Sequence, residues 1–312
     1  MNAPAADVPG LSAELGRLWR MTRPPFLAVT AVGYLLGLAI ALHPAGGVQV
    51  AWPVLLGGLL VAVCAHAAAN VLNDYEDHRN GADAGNTGAI APFTGGAGMI
   101  QRGETTADAT RRLAVALGIA SVLGGLFVAM QGNTALLAIG ALGLLAGWAY
   151  SAPPLALMAR GLGEPPIALA WMLVVLGAAT LASGRLLPLA AIAGLGYGLL
   201  VTAILVVNSV PDAPSDAAAG KATLCVRLGA PGAARLHLAC MLVAHAIALA
   251  LAVWLRAPAL LAAQATLPLA LWASGQLWRH RHAASALRPA IVATILTAAL
   301  HGLLLALGLW RG

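Results

Sequence analysis

Carboxylate and amide side chains are concentrated in two short stretches of an otherwise strongly apolar sequence. Only 9% of the 312 residues are charged, whereas 60% are hydrophobic. Charged groups at membrane depth are costly and usually functional, so we expect both stretches to carry chemistry. In chain order they contain Asn70, Asn73, Asp74, Asp77 and Asp83, and then Asn208, Asp212 and Asp216.

The spacing within each stretch places its polar side chains on one face of a helix. Polar residues from His66 to Asp77 follow a 4-3-4 spacing, and those from Asn208 to Asp216 follow a 4-4 spacing. Residues three and four apart are neighbours on a helix surface. Pro211 and Pro214 are expected to distort or end the second helix.

Aspartates in two such sets indicate a site for a phosphate group that is bridged by metal ions. A carboxylate repels an anion, but Mg²⁺ prefers oxygen ligands and typically joins one or two carboxylates to substrate phosphates. Two such ions would offset most of the charge of five aspartates and a diphosphate. A single aspartate would more often be an ordinary loop charge, whereas two sets with asparagine partners favour a site.

Basic side chains near the two stretches are candidates for contacts with phosphate oxygens. Lys221, the only lysine in the chain, and Arg227 follow the second stretch. Arg79 and Arg160 are further candidates.

The elements that carry these residues are predicted to be membrane-spanning helices. Mean hydropathy is +0.86, and the apolar segments are long and rich in leucine and alanine, unlike the short alternating strands of a barrel. We therefore predict an all-α polytopic membrane protein that forms a single domain over residues 1–312. The nine predicted spans are Phe26–Leu42, Pro53–Leu72, Arg111–Met130, Thr134–Tyr150, Ile167–Ala182, Pro188–Asn208, Ala233–Leu255, Pro258–Trp278 and Ala290–Trp310.

The charges predict the orientation of these spans. With the N-terminus inside, fourteen of the 17 basic residues and all 11 acidic residues fall on the inner side. Residues 1–25 would then form a cytoplasmic segment, and 73–110 and 209–232 would be cytoplasmic loops that carry the aspartates. No cleavable signal peptide is visible. The basic residues are spread over the loops, which does not indicate a nucleic-acid partner. The three cysteines lack metal-ligand spacing.

Four ordered stretches resemble motifs of the UbiA superfamily of intramembrane prenyltransferases. They are Asn73–Asp83, Pro92–Gly103, Tyr150–Glu164 and Asn208–Gly229. In the first stretch, the last two aspartates, Asp77 and Asp83, are six positions apart, and Gly81 lies between them. This spacing resembles the 1,4-dihydroxy-2-naphthoate prenyltransferase branch, which makes menaquinone precursors.

The resemblance implies a fold, a reaction and a membrane. The fold would be a nine-helix bundle whose central cavity opens to the cytoplasmic side, in a bacterial inner membrane. The enzyme would transfer a polyprenyl group from an allylic polyprenyl diphosphate to an aromatic acceptor, 1,4-dihydroxy-2-naphthoate, which would lose CO₂. The isoprenoid tail would lie along apolar helix faces that open to the lipid bilayer.

The resemblance also implies roles for individual residues. Tyr150 would face the allylic cation, although an interfacial anchor is nearly as good an interpretation of this tyrosine. Two Mg²⁺ ions would be held by Asp74, Asp77 and Asp83 on one side and by Asp212 and Asp216 on the other. The residues that would bind the diphosphate are Asn70, Asn73, Arg79, Arg160, Asn208, Lys221 and Arg227.

Three alternatives remain open from the sequence. A polytopic transporter would also carry intramembrane acids, but no chain of ionisable residues crosses to the other side. Another branch of the same superfamily would use 4-hydroxybenzoate, haem or a phosphorylated sugar as acceptor. An enzyme of CDP-alcohol lipid synthesis would also use magnesium and aspartates, but its Asp-Gly-x-x-Ala-Arg signature is absent.

Overall fold

The computed structural model describes residues 10–42, 50–131 and 133–311, and the regular elements within these ranges are all helices. The first nine residues of the predicted N-terminal segment lie outside the described residues. Three short 3₁₀ segments, Met158–Arg160, Pro258–Thr266 and Ala284–Ala286, lie between α-helices. The α-helices are α1 (Leu11–Met21), α2 (Pro24–Leu42), α3 (Trp52–Asn80), α4 (Ala107–Gln131), α5 (Ala135–Ser151), α6 (Glu164–Ser183), α7 (Pro188–Ala218), α8 (Leu224–Trp254), α9 (Leu267–His280) and α10 (Arg288–Arg311).

Seven of these helices are long and apolar enough to cross a membrane, namely α2, α3, α4, α6, α7, α8 and α10. The chain is an integral membrane protein. Each predicted span coincides with a helical region, but α5 has only 17 residues, and the predicted span 258–278 is divided between a 3₁₀ segment and α9. Pro268, in the first turn of α9, fits this division because proline is tolerated at a helix start. The count of nine spans therefore stays a prediction.

Both predicted acidic loops are partly helical, which corrects their expected boundaries. The helix α3 continues to Asn80 and ends at Gly81, whose left-handed backbone suits a helix terminus. The helix α7 continues to Ala218 and contains both Pro211 and Pro214. Each proline ring removes one helical hydrogen bond, but α7 is buried along most of its length, so packing against its neighbours compensates.

The largest part of the core lies between α2, α6, α7, α8 and α10. Tyr197 of α7 is almost fully buried there, and its hydroxyl donates to the carbonyl oxygen of Val29 at 2.7 Å. A smaller cluster joins Met21, at the end of α1, to Val71 of α3 and Met99 of the α3–α4 connection. These contacts hold the start of α2 beside the acidic end of α3.

Candidate active site

The acidic ends of α3 and α7 meet, and a single lysine joins them. The ammonium group of Lys221 lies 2.9 Å from Asp77 Oδ1 and 2.8 Å from Asp216 Oδ1. The Lys221 side chain is only 5% exposed. Burial on its own would lower its pKa, but the carboxylates of Asp77 and Asp216 raise that pKa above its ordinary value. The structure thus brings together the two stretches that lie far apart in sequence.

A second cation at the site, Arg23, was not among the residues predicted from the sequence. Its guanidinium pairs with the carboxylate of Asp74 and donates to Asn73 Oδ1 at 3.2 Å. Arg23 lies between α1 and α2, with a left-handed backbone (φ 56°). The only signal in the sequence was a basic residue before the first span, which the positive-inside rule already explains.

The connection between α3 and α4 folds back over the carboxylates. The backbone N–H of Ala97 donates to Asp74 Oδ2 at 3.1 Å, and that of Gly95 donates to Asp212 Oδ2 at 3.1 Å. The amide group of Asn86 donates to Asp212 Oδ1 at 2.6 Å. Asn86 is a further site residue that sequence reasoning missed, because nothing in its spacing relates it to α7.

Gly96 lies so close to the carboxylates that a side chain at this position would displace charged groups of the site. A Cβ atom there would lie 2.8 Å from Asp74 Oδ1, 2.9 Å from Asp83 Oδ2 and 3.0 Å from a guanidinium nitrogen of Arg23. Its φ of +67° also favours glycine. The glycine-rich connection therefore allows the backbone to approach the charged groups directly.

Four of the five predicted metal-binding carboxylates line one end of a cavity of about 520 Å³. They are Asp77, Asp83, Asp212 and Asp216. The fifth, Asp74, faces Arg23, and Arg23 itself lines the cavity. Burial, together with the charges of Asp77 and Asp74, raises the pKa of Asp83 to about 7.

The asparagines predicted at the site also line this cavity. Asn70 donates to the carbonyl oxygen of Thr22 at 3.1 Å, and Asn73 donates to Asp77 Oδ2 at 3.1 Å. The Oδ1 atom of Asn208 is buried and has no hydrogen-bond partner among the described residues. Tyr150, at the end of α5, lines the same cavity.

Three predicted phosphate-binding arginines lie elsewhere. Arg79 pairs with Glu76 at 3.2 Å, Arg160 donates to the carbonyl oxygen of Pro154 at 2.6 Å, and Arg227 donates to that of Ala222 at 2.9 Å. In the part of the chain that the structure describes, none of these arginines lines the cavity.

The remainder of the cavity is apolar and extends between α3, α4, α5 and α6. Its walls there are mostly small or aliphatic residues, among them Val61, Leu126, Gly140 and Leu144. The cavity thus has a charged end and a long apolar part. Such a space fits an amphipathic ligand with an anionic head and a hydrocarbon tail.

The donor set suits Mg²⁺ that is shared with a phosphate ligand. Within the described ranges, no three His, Cys, Asp or Glu side chains form a ready-made metal site. Mg²⁺, however, typically takes one or two carboxylates together with phosphate oxygens and water. The carboxylates at the charged end and the buried Oδ1 atom of Asn208 are the hard oxygen donors that this ion prefers.

The architecture and the site define a class of protein, namely a helical membrane bundle with an acid-lined amphipathic cavity. Solved UbiA homologues share this fold. One from Archaeoglobus fulgidus, bound to DMAPP and Mg²⁺, has a TM-score of 0.65 over 93% of this chain and 99% of its own, at 16% identity. Another from Aeropyrum pernix has a TM-score of 0.64, at 16% identity, over 90% and 97% of the two chains.

Sequence comparison then identifies the family. The model of the UbiA prenyltransferase family matches residues 26–296, and the chain belongs to this family. A Mycobacterium tuberculosis protein named 1,4-dihydroxy-2-naphthoate octaprenyltransferase is 31% identical over 81% of this chain and 82% of its own. A Haemophilus influenzae protein with the same name is 29% identical over 70% and 71%. The resemblance indicated by the four motifs is confirmed, and the protein is a prenyltransferase.

Proposed function

We propose that this enzyme transfers a polyprenyl group from an allylic polyprenyl diphosphate to 1,4-dihydroxy-2-naphthoate, with Mg²⁺ and with loss of CO₂, in menaquinone biosynthesis. The observation that carries the proposal is the cavity, whose charged end joins both aspartate sets and whose other part is apolar. The names of the relatives support the choice of acceptor. The charge distribution supports an active site on the cytoplasmic side of a bacterial inner membrane.

The diphosphate would bind at the charged end. Asp77, Asp83, Asp212 and Asp216 would hold Mg²⁺, as would Asp74 if its pairing with Arg23 is released. When bound, Mg²⁺ would neutralise negative charge on the leaving group. Lys221 and Arg23 already lie at this end and would contribute fixed positive charge to the diphosphate. The proposed role thus shifts from Arg79, Arg160 and Arg227 to Arg23.

In the reaction, two bonds break and one bond forms. The allylic C–O bond breaks, and its electron pair leaves with the diphosphate. The ring carbon that bears the carboxylate forms the new C–C bond to the allylic carbon. The bond to the carboxylate carbon then breaks, CO₂ leaves, and the electron pair of that bond restores the aromatic ring.

Two features of the cavity would protect the allylic cation. The apolar walls beyond the charged end would exclude water that would quench the cation. The ring of Tyr150 lines the cavity and would stabilise the cation by roughly 1–2 kcal/mol. The apolar part between α3 and α6 would hold the isoprenoid tail.

Product mass spectrometry tests the proposal. Purified protein in nanodiscs would receive Mg²⁺, a polyprenyl diphosphate and a mixture of 1,4-dihydroxy-2-naphthoate, 4-hydroxybenzoate and homogentisate. We expect a prenylated naphthalenoid that has lost CO₂. EDTA should abolish this product, and added Mg²⁺ should restore it.

A matched pair of variants assigns the activity to the site. Asp212→Asn removes a carboxylate that lines the cavity, whereas Asp108→Asn changes an exposed residue in the first turn of α4. Product should be lost only in the first variant. Product from another ring would change the acceptor, and diphosphate transport without any product would favour the transporter alternative.

A further inference from the structure

Three polar side chains lie in the cavity beyond the charged end. Thr30 of α2, His66 of α3 and Trp171 of α6 all line the cavity. His66 is one helical turn, about 6 Å, from Asn70 on the side of the apolar part. The group therefore lies at the boundary between the charged end and the apolar part.

The geometry of this group leaves two polar atoms free. The Nδ1 atom of His66 lies 2.8 Å from Thr30 Oγ1, and the imidazole packs edge-to-face on the Trp171 ring with centroids 4.8 Å apart. These contacts fix the orientation of both rings. Trp171 is 7% exposed, and its Nε1 atom has no partner among the residues described. The Nε2 atom of His66 also makes no hydrogen bond within the described part of the structure.

Other polar groups in the deeper cavity are already satisfied. The Tyr34 hydroxyl donates to the carbonyl oxygen of Leu55 at 2.6 Å, and the Ser121 hydroxyl donates to that of Leu117 at 2.8 Å. A buried N–H without a partner costs stability unless a ligand or water satisfies it. The N–H of Trp171 thus calls for a polar ligand, and His66 Nε2 beside it is available to bind the same ligand.

The chemistry of the two substrates indicates which of them Trp171 and His66 would bind. The diphosphate belongs at the charged end, and an isoprenoid tail has no hydrogen-bonding group. Of the groups that must enter the cavity, only those of the aromatic acceptor, its hydroxyls and its carboxylate, can bond to an indole N–H and an imidazole nitrogen. A carboxylate without a charged partner is costly in the apolar part, which favours the hydroxyls. We propose that Trp171 and His66 bind the ring hydroxyls of the acceptor and orient the ring toward the allylic carbon, an inference that rests on the proposed function.

Kinetics with two acceptors test this role. The acceptors are 1,4-dihydroxy-2-naphthoate and 1-hydroxy-2-naphthoate, which lacks one hydroxyl. Trp171→Phe keeps the ring but removes the N–H. We compare the ratio of kcat/KM for the two acceptors in the wild type and the variant, because the intrinsic effect of the missing hydroxyl on reactivity cancels in that comparison.

The expected result is a loss of discrimination. The wild type should prefer the dihydroxy acceptor more strongly than Trp171→Phe does, by about tenfold, which corresponds to one hydrogen bond. The KM for the dihydroxy acceptor should rise by about the same factor, and the KM for the prenyl diphosphate should change less than twofold. Trp272→Phe, which alters an exposed tryptophan of α9, is the matched control.

A second pair of variants probes the imidazole. His66→Gln retains hydrogen-bonding capacity and should keep most of the affinity for the acceptor, whereas His66→Leu should lose it. If the ratio of kcat/KM for the two acceptors is equal in the wild type and Trp171→Phe, and both proteins are folded, the inference is overturned. Water would then be the partner of Trp171 Nε1 and His66 Nε2. Failure of the proposed function is distinct, because the wild type itself would then prenylate no naphthoate.

Discussion

Lys221 allows a test in which metal binding and phosphate binding change in opposite directions. Its ammonium group pairs with Asp77 and Asp216, both of which line the cavity. The change Lys221→Met keeps much of the side-chain volume but removes the charge. Without the lysine, both carboxylates are free and the site is more negative by one charge. We therefore expect Mg²⁺ to bind more tightly in the absence of substrate, and the diphosphate to bind more weakly.

The distances give the size of this effect. The ammonium group lies 2.9 Å from Asp77 Oδ1, and Mg²⁺ on that oxygen would be about 2.1 Å from it, so the two cations would be at most about 5 Å apart. For charges of two and one, and an effective dielectric of about 40–80 for a charged end filled with water before substrate binds, their repulsion is about 1.7–3.3 kcal/mol. Removal of the charge should thus tighten Mg²⁺ binding roughly 20- to 200-fold.

The assay is a Mn²⁺ titration followed by electron paramagnetic resonance in detergent, with Mg²⁺ as competitor, alongside turnover with polyprenyl diphosphate. The matched control is Arg227→Met, which removes a nearby charge that lies outside the cavity. Thermal unfolding should show Lys221→Met to be less stable, because two buried carboxylates lose their partner. Unchanged or weaker metal binding by a folded Lys221→Met variant would refute the reasoning.

Three further predictions follow from the geometry of the charged end. Gly96→Ala should lower turnover at least tenfold because its Cβ would meet Asp74, whereas Gly103→Ala, which also has a positive φ but open space around it, should retain activity. Arg23→Met should raise the KM for the prenyl diphosphate about tenfold or more, as expected for loss of a charge-assisted contact. Arg160→Met should change that KM less than twofold, because its guanidinium bonds to the backbone outside the cavity, and a large increase would restore the role predicted from the sequence.

The helices, and the helix faces that carry the acidic residues, could be predicted from the sequence because both depend on local pattern. Apolar runs of sufficient length predict helices in a membrane, and spacing of three or four places polar groups on one face. The face from Asn70 to Asp77 lines the cavity as expected, with Asp74 turned toward Arg23 instead. The prolines of α7 were misleading because burial of that helix outweighs the cost of two lost hydrogen bonds.

The partners of the carboxylates could not be predicted, because they depend on the path of an irregular segment. The connection from Ala82 to Thr106 has no periodicity, so nothing in its sequence places the N–H of Gly95 on Asp212 or that of Ala97 on Asp74. Long basic side chains add a second ambiguity. Arg79 and Arg227 are near the motifs in sequence but bond elsewhere, whereas Arg23, which is 51 residues away from Asp74, pairs with it.

The ion pairs at the charged end have a consequence for catalysis. Arg23 and Lys221 hold carboxylates that the proposed mechanism assigns to Mg²⁺. A metal ion and a diphosphate that arrive together would exchange partners with them: the carboxylates would turn to the metal, and the two cations to the phosphate oxygens. Because neither carboxylates nor cations are then left unpaired in a buried site, joint binding costs less than binding of either ligand alone. Mg²⁺ and polyprenyl diphosphate should therefore bind cooperatively, and Lys221→Met should weaken this coupling while it strengthens binding of the metal alone.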